Sequence, residues 1–351
     1  MDKRISQIID FAKVPLTMFV VLLHSYTAVG ISDNLYFALA YPTLIIGEIG
    51  VPAFLFISGY LYFTKLSPQW DWKQYKRKTN KRISTLLRPY LIWNSIMILF
   101  YFVLGAIPSL NGYFSGANKP IAEYEIHDFL LAYWNKGEAV NGTPIMQPYW
   151  YVRNLMILCL FSPVIYFLVK RLGILLLIVT GAWWLLTNHN AFVQISIFFF
   201  CLGAFCQIKN IDFTKPEGVN GKTIYITAIM FFITDYITHI CFPVNGALQI
   251  HRINLISSIV ALFTIANTLV GKYRIPELFR HSAFFVYTIH FPIILAIRKI
   301  FYKLYDAPND IIQFLILVFA FIVTYALCLA IYKIWQTLFP KSLNFTMGGR
   351  A

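Results

Sequence analysis

Stretches of about 20 mostly apolar residues recur along the chain between short polar connections, and each could cross the hydrocarbon of a bilayer as a helix rising about 1.5 Å per residue. The pattern predicts spans over residues 9 to 30, 42 to 64, 87 to 107, 149 to 169, 173 to 187, 191 to 208, 222 to 241, 252 to 270, 282 to 302 and 311 to 338. The fifth is short for a simple crossing. Gly173 and Gly181 let it bend or pack closely, so nine or eleven crossings stand beside the favoured ten. The first stretch also imitates a signal peptide, with a basic start and the small residues Ala28 and Gly30, but Lys13 and His24 are foreign to such a segment. No repeat, linker or low-complexity tract interrupts the series. The expectation is a single all-α, polytopic membrane domain over residues 1–351, with no appended soluble domain.

Composition sharpens this picture. Of 351 residues 58% are hydrophobic and only 13% charged, about half the charged share of an ordinary soluble domain. Lys and Arg concentrate in cytoplasmic loops of membrane proteins, and here the bias alternates from one connection to the next. With the N-terminus inside, 22 of the 29 basic residues fall on the cytoplasmic side, among them Lys3, Arg4, Lys13, the run Lys65 to Arg88, Lys170, Arg171 and Arg280. The longest outer connection, 108 to 148, is acidic, with Glu123, Glu125, Asp128 and Glu138. Both termini are therefore expected in the cytoplasm. The net charge of +14 reads as a topology signal rather than a nucleic-acid footprint. Cys159, Cys201, Cys206, Cys241 and Cys328 lack C-x-x-C spacing, so they read as core packing, with neither a disulfide framework nor a metal site.

An ionisable residue inside a span costs several kcal/mol, of the order of 3, unless it faces a cavity or a partner, so each is a functional candidate. His24 lies about 16 Å along the first helix from Lys13 at about 1.5 Å per residue, and Glu48 enters the second span at a similar depth. A carboxylate beside a His fixes its tautomer and raises its basicity, as a general base requires, although a plain buried ion pair fits the same spacing. The segment Gly47 to Leu61 places two further glycines, Pro52 and Ser58 in what should be a plain helix, permitting a kink and close approach. The following loop carries Lys73, Lys76, Arg77, Lys78, Lys81, Arg82 and Arg88 within 16 residues, a density suited to a polyphosphate or to anionic lipid. Trp150, Tyr151 and Arg153 open the fourth span in the manner of an interfacial belt. Tyr287 and His290 share a face of the ninth. Asn141-Gly142-Thr143 fits a glycosylation acceptor, a three-residue pattern that also arises by chance.

These residues together resemble the acyltransferase 3 family, ten-helix membrane enzymes that modify cell-surface glycans. Asp10, Lys13 and His24 reproduce the family spacing on the first helix, and Val51 to Leu61, closing on Ser58-Gly59-Tyr60, matches its most specific motif. The basic loop leading to Pro89, Tyr90 and Trp93, the Trp150-Tyr151-Val152 opening and Tyr287-x-x-His290 follow in family order. Where many members have Arg-x-x-Arg, this chain has Lys78 and Lys81. The resemblance implies transfer of an acyl group, usually acetyl, from cytoplasmic acyl-coenzyme A as co-substrate to a hydroxyl of a glycan or glycolipid, in a bacterial inner membrane and without a bound cofactor. His24 becomes the general base or a transient acyl carrier, and Glu48 its orienting group. Lys13, Arg77, Lys78, Lys81 and Arg82 become contacts to acyl-coenzyme A; Ser58, Tyr60, Trp150, Arg153, Tyr287 and His290 become acceptor or supporting residues. Intramembrane charges and broken helices also describe a transporter or flippase, or an inactive relative kept as a binding partner.

Overall fold

The computed structural model describes residues 3–26, 35–64, 66, 69–108, 119–136, 142–188, 191–215, 218–241, 246–304 and 309–349. Ala28, Gly30, Lys65, Glu138 and Asn141 of the sequence reading lie outside them. Among the described residues the chain is helical, without a strand. The helices are α1 (Lys3–Ser25), α2 (Leu35–Glu48), α3 (Gly50–Phe63), α4 (Trp72–Ala106), α5 (Ile126–Ala132), α6 (Trp150–Leu160), α7 (Ser162–Leu172), α8 (Ile174–Leu186), α9 (Phe192–Ile208), α10 (Gly221–Ile240), α11 (Ala247–Leu269), α12 (Glu277–Leu304), α13 (Asp310–Leu338) and α14 (Pro340–Thr346).

Each expected span falls on helix, but not always on a single straight one. Among the described residues seven segments are long and apolar enough to cross a bilayer, counting α2 with α3, and α6 with α7 makes an eighth if that bent pair is one span. The short apolar helices α8 and α9 accompany them. The protein is thus an all-α, multi-pass integral membrane protein.

The breaks have local causes. Pro52 has no N–H to give the carbonyl of Glu48, and the turn between α2 and α3 is closed instead by Ile49 N donating to Ile46 O at 3.3 Å. The expected fourth span, 149 to 169, bends by 70° between α6 and α7. Pro163 there cannot reach the carbonyl of Cys159, which accepts from the hydroxyls of Ser162 at 2.8 Å and Tyr62 at 3.3 Å. Gly173, at φ 55° and ψ −122°, then turns α7 into α8.

Two expectations are corrected. The basic run is not a loop: α4 begins at Trp72, and the Asp71 side chain caps it by accepting from the N–H groups of Lys73 and Gln74 at 2.8 and 3.2 Å. With no Gly or Pro between 72 and 88, nothing stops the helix, so the basic residues ride on its first half. Cys241 is exposed because it lies just past the end of α10, whereas the other four cysteines are buried.

Helix α1 is the hub, packed against α2, α3, α11, α12 and α13. The tightest pair is α3 with α9, where Gly59 and Gly203 bring the two backbones together: a Cβ on Gly203 would stand 2.7 Å from Tyr60 N. The chain ends meet the basic end of the bundle, through Arg4 donating to Asn267 at 2.8 Å and Gly348 lying against Thr85.

Candidate functional site

Two cavities lie one above the other along α1, α3 and α12. The first, of about 320 Å³, is lined at its charged end by Lys13, Arg82, Arg280 and His281, and further in by Thr17, Ser58, Tyr151 and Tyr287. The second, of about 400 Å³, is lined by His24, Glu48, His251 and Arg252 together with Gln147, Trp150, Trp184 and Tyr287. Tyr287 belongs to both walls. Its hydroxyl donates to the carbonyl of Pro148, which fixes the ring between the two spaces. Lys13 and His24 mark the ends of this track, about 16 Å apart along α1 at about 1.5 Å per residue.

His24 lies edge-on to Phe291, with ring centres 5.4 Å apart, and tilted against His290 at 5.1 Å. His290 is fully buried. Its Nδ1 faces the carbonyls of Val286 and Tyr287 at 3.1 and 2.8 Å; since carbonyls only accept, Nδ1 carries the proton and Nε2 presents a lone pair. That Nε2 has no hydrogen-bond partner among the described residues.

Glu48 does not orient His24. Its Oε2 meets His251 Nε2 at 2.7 Å, so the two expected catalytic groups share a cavity without sharing a hydrogen bond. Depth along two helices placed them at one level, but the rotation of α2 turns the carboxylate toward α11. Behind His251 lies Asp235 of α10, fully buried, whose Oδ2 accepts from His251 Nδ1 and Asn254 Nδ2, both at 2.8 Å. Its Oδ1 accepts from Tyr41 at 3.1 Å and stands 3.0 Å from the His239 ring. The sequence reading missed His251, Asp235 and Arg252. A carboxylate in the middle of the seventh span was the available signal, since α10 otherwise buries only Ile224.

The basic positions divide. Lys13, paired with Asp10 at 2.7 Å, and Arg82 line the first cavity. Lys78 instead donates to the carbonyl of Tyr62 at the end of α3, while Arg77 and Lys81 are exposed on α4 outside the cavity lining. Arg280 and His281, absent from the expected set, complete the charged end. Trp150 lines the second cavity, its ring tilted against Phe192 with centres 4.4 Å apart. Arg153 does not: it is buried and clamps the connection before α6, donating to the carbonyls of Trp134 and Gly142, the latter at 2.8 Å. Ser58 faces the first cavity and shares a 3.1 Å hydrogen bond with Tyr151. Tyr60 is core, packed on Phe213 at 4.9 Å. Among the described residues no cluster of His, Cys, Asp and Glu could hold a metal ion.

The model of an acyltransferase domain matches residues 7–333, nearly the whole chain. The protein belongs to the acyltransferase 3 family. It is thus a membrane acyltransferase, and the resemblance drawn from its motifs holds. The chain is also 27% identical over 312 residues to the succinoglycan biosynthesis protein ExoH of Rhizobium meliloti strain 1021, a match covering 84% of this chain and 80% of that one. No solved structure matches.

Proposed function

We propose that this acyltransferase carries an acyl group from acyl-coenzyme A, bound from the cytoplasm, to a hydroxyl of a cell-envelope glycan or its lipid-linked precursor in a bacterial inner membrane. The observation that carries the reading is the pair of cavities meeting at Tyr287, one with cations at its mouth and the other with His24 in its wall. Lys13, Arg82, Arg280 and His281 suit the coenzyme's phosphates, and the positive-inside bias puts that end in the cytoplasm. The track of about 16 Å suits an extended, flexible arm that delivers a thioester to His24. The likeness to a protein of succinoglycan biosynthesis supports a glycan as acceptor.

In the proposed step His24 takes the proton of the acceptor hydroxyl as its oxygen attacks the thioester carbonyl. The C–O bond forms, the C–S bond breaks, and the departing thiolate receives the proton from His24, so the ring ends as it began. His290, rather than Glu48, is the ring packed against His24, with ring centres 5.1 Å apart, and it confines the base on that side. General-base catalysis is worth about 10²–10⁴-fold, so His24→Ala should reduce transfer by that order.

The test is transfer of radiolabelled acetyl and succinyl groups from their coenzyme A thioesters in membranes expressing the chain, with envelope fractions as acceptor. Label entering glycan or lipid with wild type but not with His24→Ala supports the reading. Wild-type membranes that transfer neither group to any envelope fraction would overturn it, and acceptor movement without acyl-coenzyme A would favour a transporter.

A further inference from the structure

The chain Glu48–His251–Asp235 has no part in the step just described, yet it ties α2, α10 and α11 together inside the bundle. Asp235 sits at the centre of four contacts on α2, α10 and α11, with two partners on each carboxylate oxygen. His251 lies between this carboxylate and that of Glu48, at 2.8 and 2.7 Å. Two carboxylates in hydrogen-bond contact with one ring require a proton in each contact. The result is a fixed line of charges whose last member, Glu48, is the one that reaches open space: its side chain is 36% exposed, against 9% for His251 and none for Asp235.

Such a network is costly to place among lipid-facing helices unless it serves a cavity. Only Oε2 of Glu48 is hydrogen-bonded among the described residues. Glu48 shares its cavity wall with Gln147, Trp150 and Arg252, whose Nη1 is held by the carbonyls of Trp184 and Thr187. A carboxylate oxygen accepts only, a guanidinium donates only, and an indole offers a flat apolar face. This is the complement of a neutral ring carrying several hydroxyls. An anionic ligand would meet Glu48, and a cationic one Arg252.

We propose that Asp235, through His251, is a positioning residue that holds Glu48 as the contact for acceptor hydroxyls, so that the second cavity takes a neutral sugar ring beside His24. The assignment rests on the acyl-transfer reading and specifies its acceptor side. The Asp–His pair acts as an orienting pair does for a catalytic histidine, except that here the oriented group is a binding carboxylate. An amide at position 235 would set its nitrogen against the donors His251 and Asn254 at the Oδ2 position, or against His239 at the Oδ1 position, where only the Tyr41 hydroxyl can turn to accept.

The experiment uses the full chain purified in detergent and has two parts. Equilibrium dialysis with tritiated methyl glycosides of glucose, galactose and mannose measures the cavity without requiring catalysis, and KM for glycoside and for acetyl-coenzyme A are measured where transfer occurs. Glu48→Gln should weaken binding of the preferred glycoside at least tenfold, with Glu48→Asp recovering part of it and Asp235→Asn falling alongside Glu48→Gln. The KM for acetyl-coenzyme A should stay within twofold. Unchanged glycoside binding in Glu48→Gln overturns the proposal, as does an equal loss of both ligands or a wild type that binds none of the glycosides. Glycoside binding that depends on Glu48, in a wild type that transfers no acyl group, would sustain the sugar site while sinking the acyl-transfer reading.

Discussion

His24 and Glu48 enter the second cavity from two helices whose separation is set by one glycine. Gly47 is buried against α1, and a Cβ added there would stand 2.8 Å from Leu23 Cβ and 2.9 Å from both Leu23 Cα and Leu23 N. Ordinary contact begins at about 3.4 Å, so Gly47→Ala must push α1 and α2 apart by about 0.5 Å against backbone that has no rotamer to yield. Overpacking of this kind costs about 1–3 kcal/mol. The displaced residues are the immediate neighbours of His24 and Glu48. Since a misplacement of about 1 Å can cost about 10²-fold in rate, half of that should reduce transfer by about tenfold. The assay is thermal inactivation of the purified protein together with acyl transfer, with Gly105→Ala as control because a Cβ there meets nothing within 4 Å. The control should match wild type. A Gly47→Ala variant as heat-stable and as active as Gly105→Ala would refute the argument that this contact sets the cavity.

Other expectations follow from single contacts. If the proposed donor site is right, Arg82→Gln removes a charge-assisted phosphate contact worth about 1.5–3 kcal/mol and should raise KM for acyl-coenzyme A by about 10–100-fold with acceptor KM unchanged; an unchanged donor KM would remove Arg82 from the donor site. Arg153→Met leaves two carbonyls without their donor and should lower stability by about 1–3 kcal/mol per group while sparing both KM values, whereas a selective rise in acceptor KM would restore Arg153 to the acceptor site. Asp128 lies outside the spans, where Lys136, the backbone N–H of Glu125 and Lys119 hold its carboxyl well below the usual carboxylate range. A carboxyl depressed on folding contributes its stability above the unfolded value, near about 4, and loses it as pH falls toward the folded value. Amide protection over residues 119–136, taken relative to the intrinsic exchange rate at each pH, should therefore be high at neutral pH in wild type and fall in acid, while Asp128→Asn is poorly protected already at neutral pH; equal protection in the two proteins at neutral pH would contradict this.

The bundle was legible because each span states itself locally. About twenty apolar residues need no partner to be read, and the glycines and proline of residues 47 to 59 announced the break and close approach that α2, α3 and α9 display. Charge misled where it overrode local grammar: Asp71 as a cap and the absence of Gly or Pro through residue 88 already marked a helix, yet the density of Lys and Arg read as a loop. The level of His24 and Glu48 was also legible, since depth follows from counting residues. Their pairing was not, because rotation about each helix axis depends on the whole bundle, and the true partner of Glu48 lies 203 residues away on α11. Arg153 shows the same limit: an arginine at an interfacial position reads as a ligand contact until the carbonyls it clamps are seen.

The two cavities also differ in how their charges are balanced, and this bears on the proposed separation of their ligands. The basic cavity gathers Lys13, Arg82, Arg280 and His281, and the nearby acids are Asp10 on Lys13 and an exposed Glu277 3.4 Å from Arg280. An excess of cation at the mouth of a low-dielectric space favours a polyanion and repels a cation. In the second cavity Glu48 and Asp235 are both met by His251, with Arg252 beside them, so the charges are largely satisfied within the protein. A space balanced in this way offers hydrogen bonds but little net field, which suits a neutral, hydroxylated molecule. A transporter passes one substrate through its whole path and needs both ends to suit it. Under the proposed assignment the ends would take a polyanion on one side and a neutral polyol on the other, joined at Tyr287 beside a histidine, as a reaction between two different substrates requires.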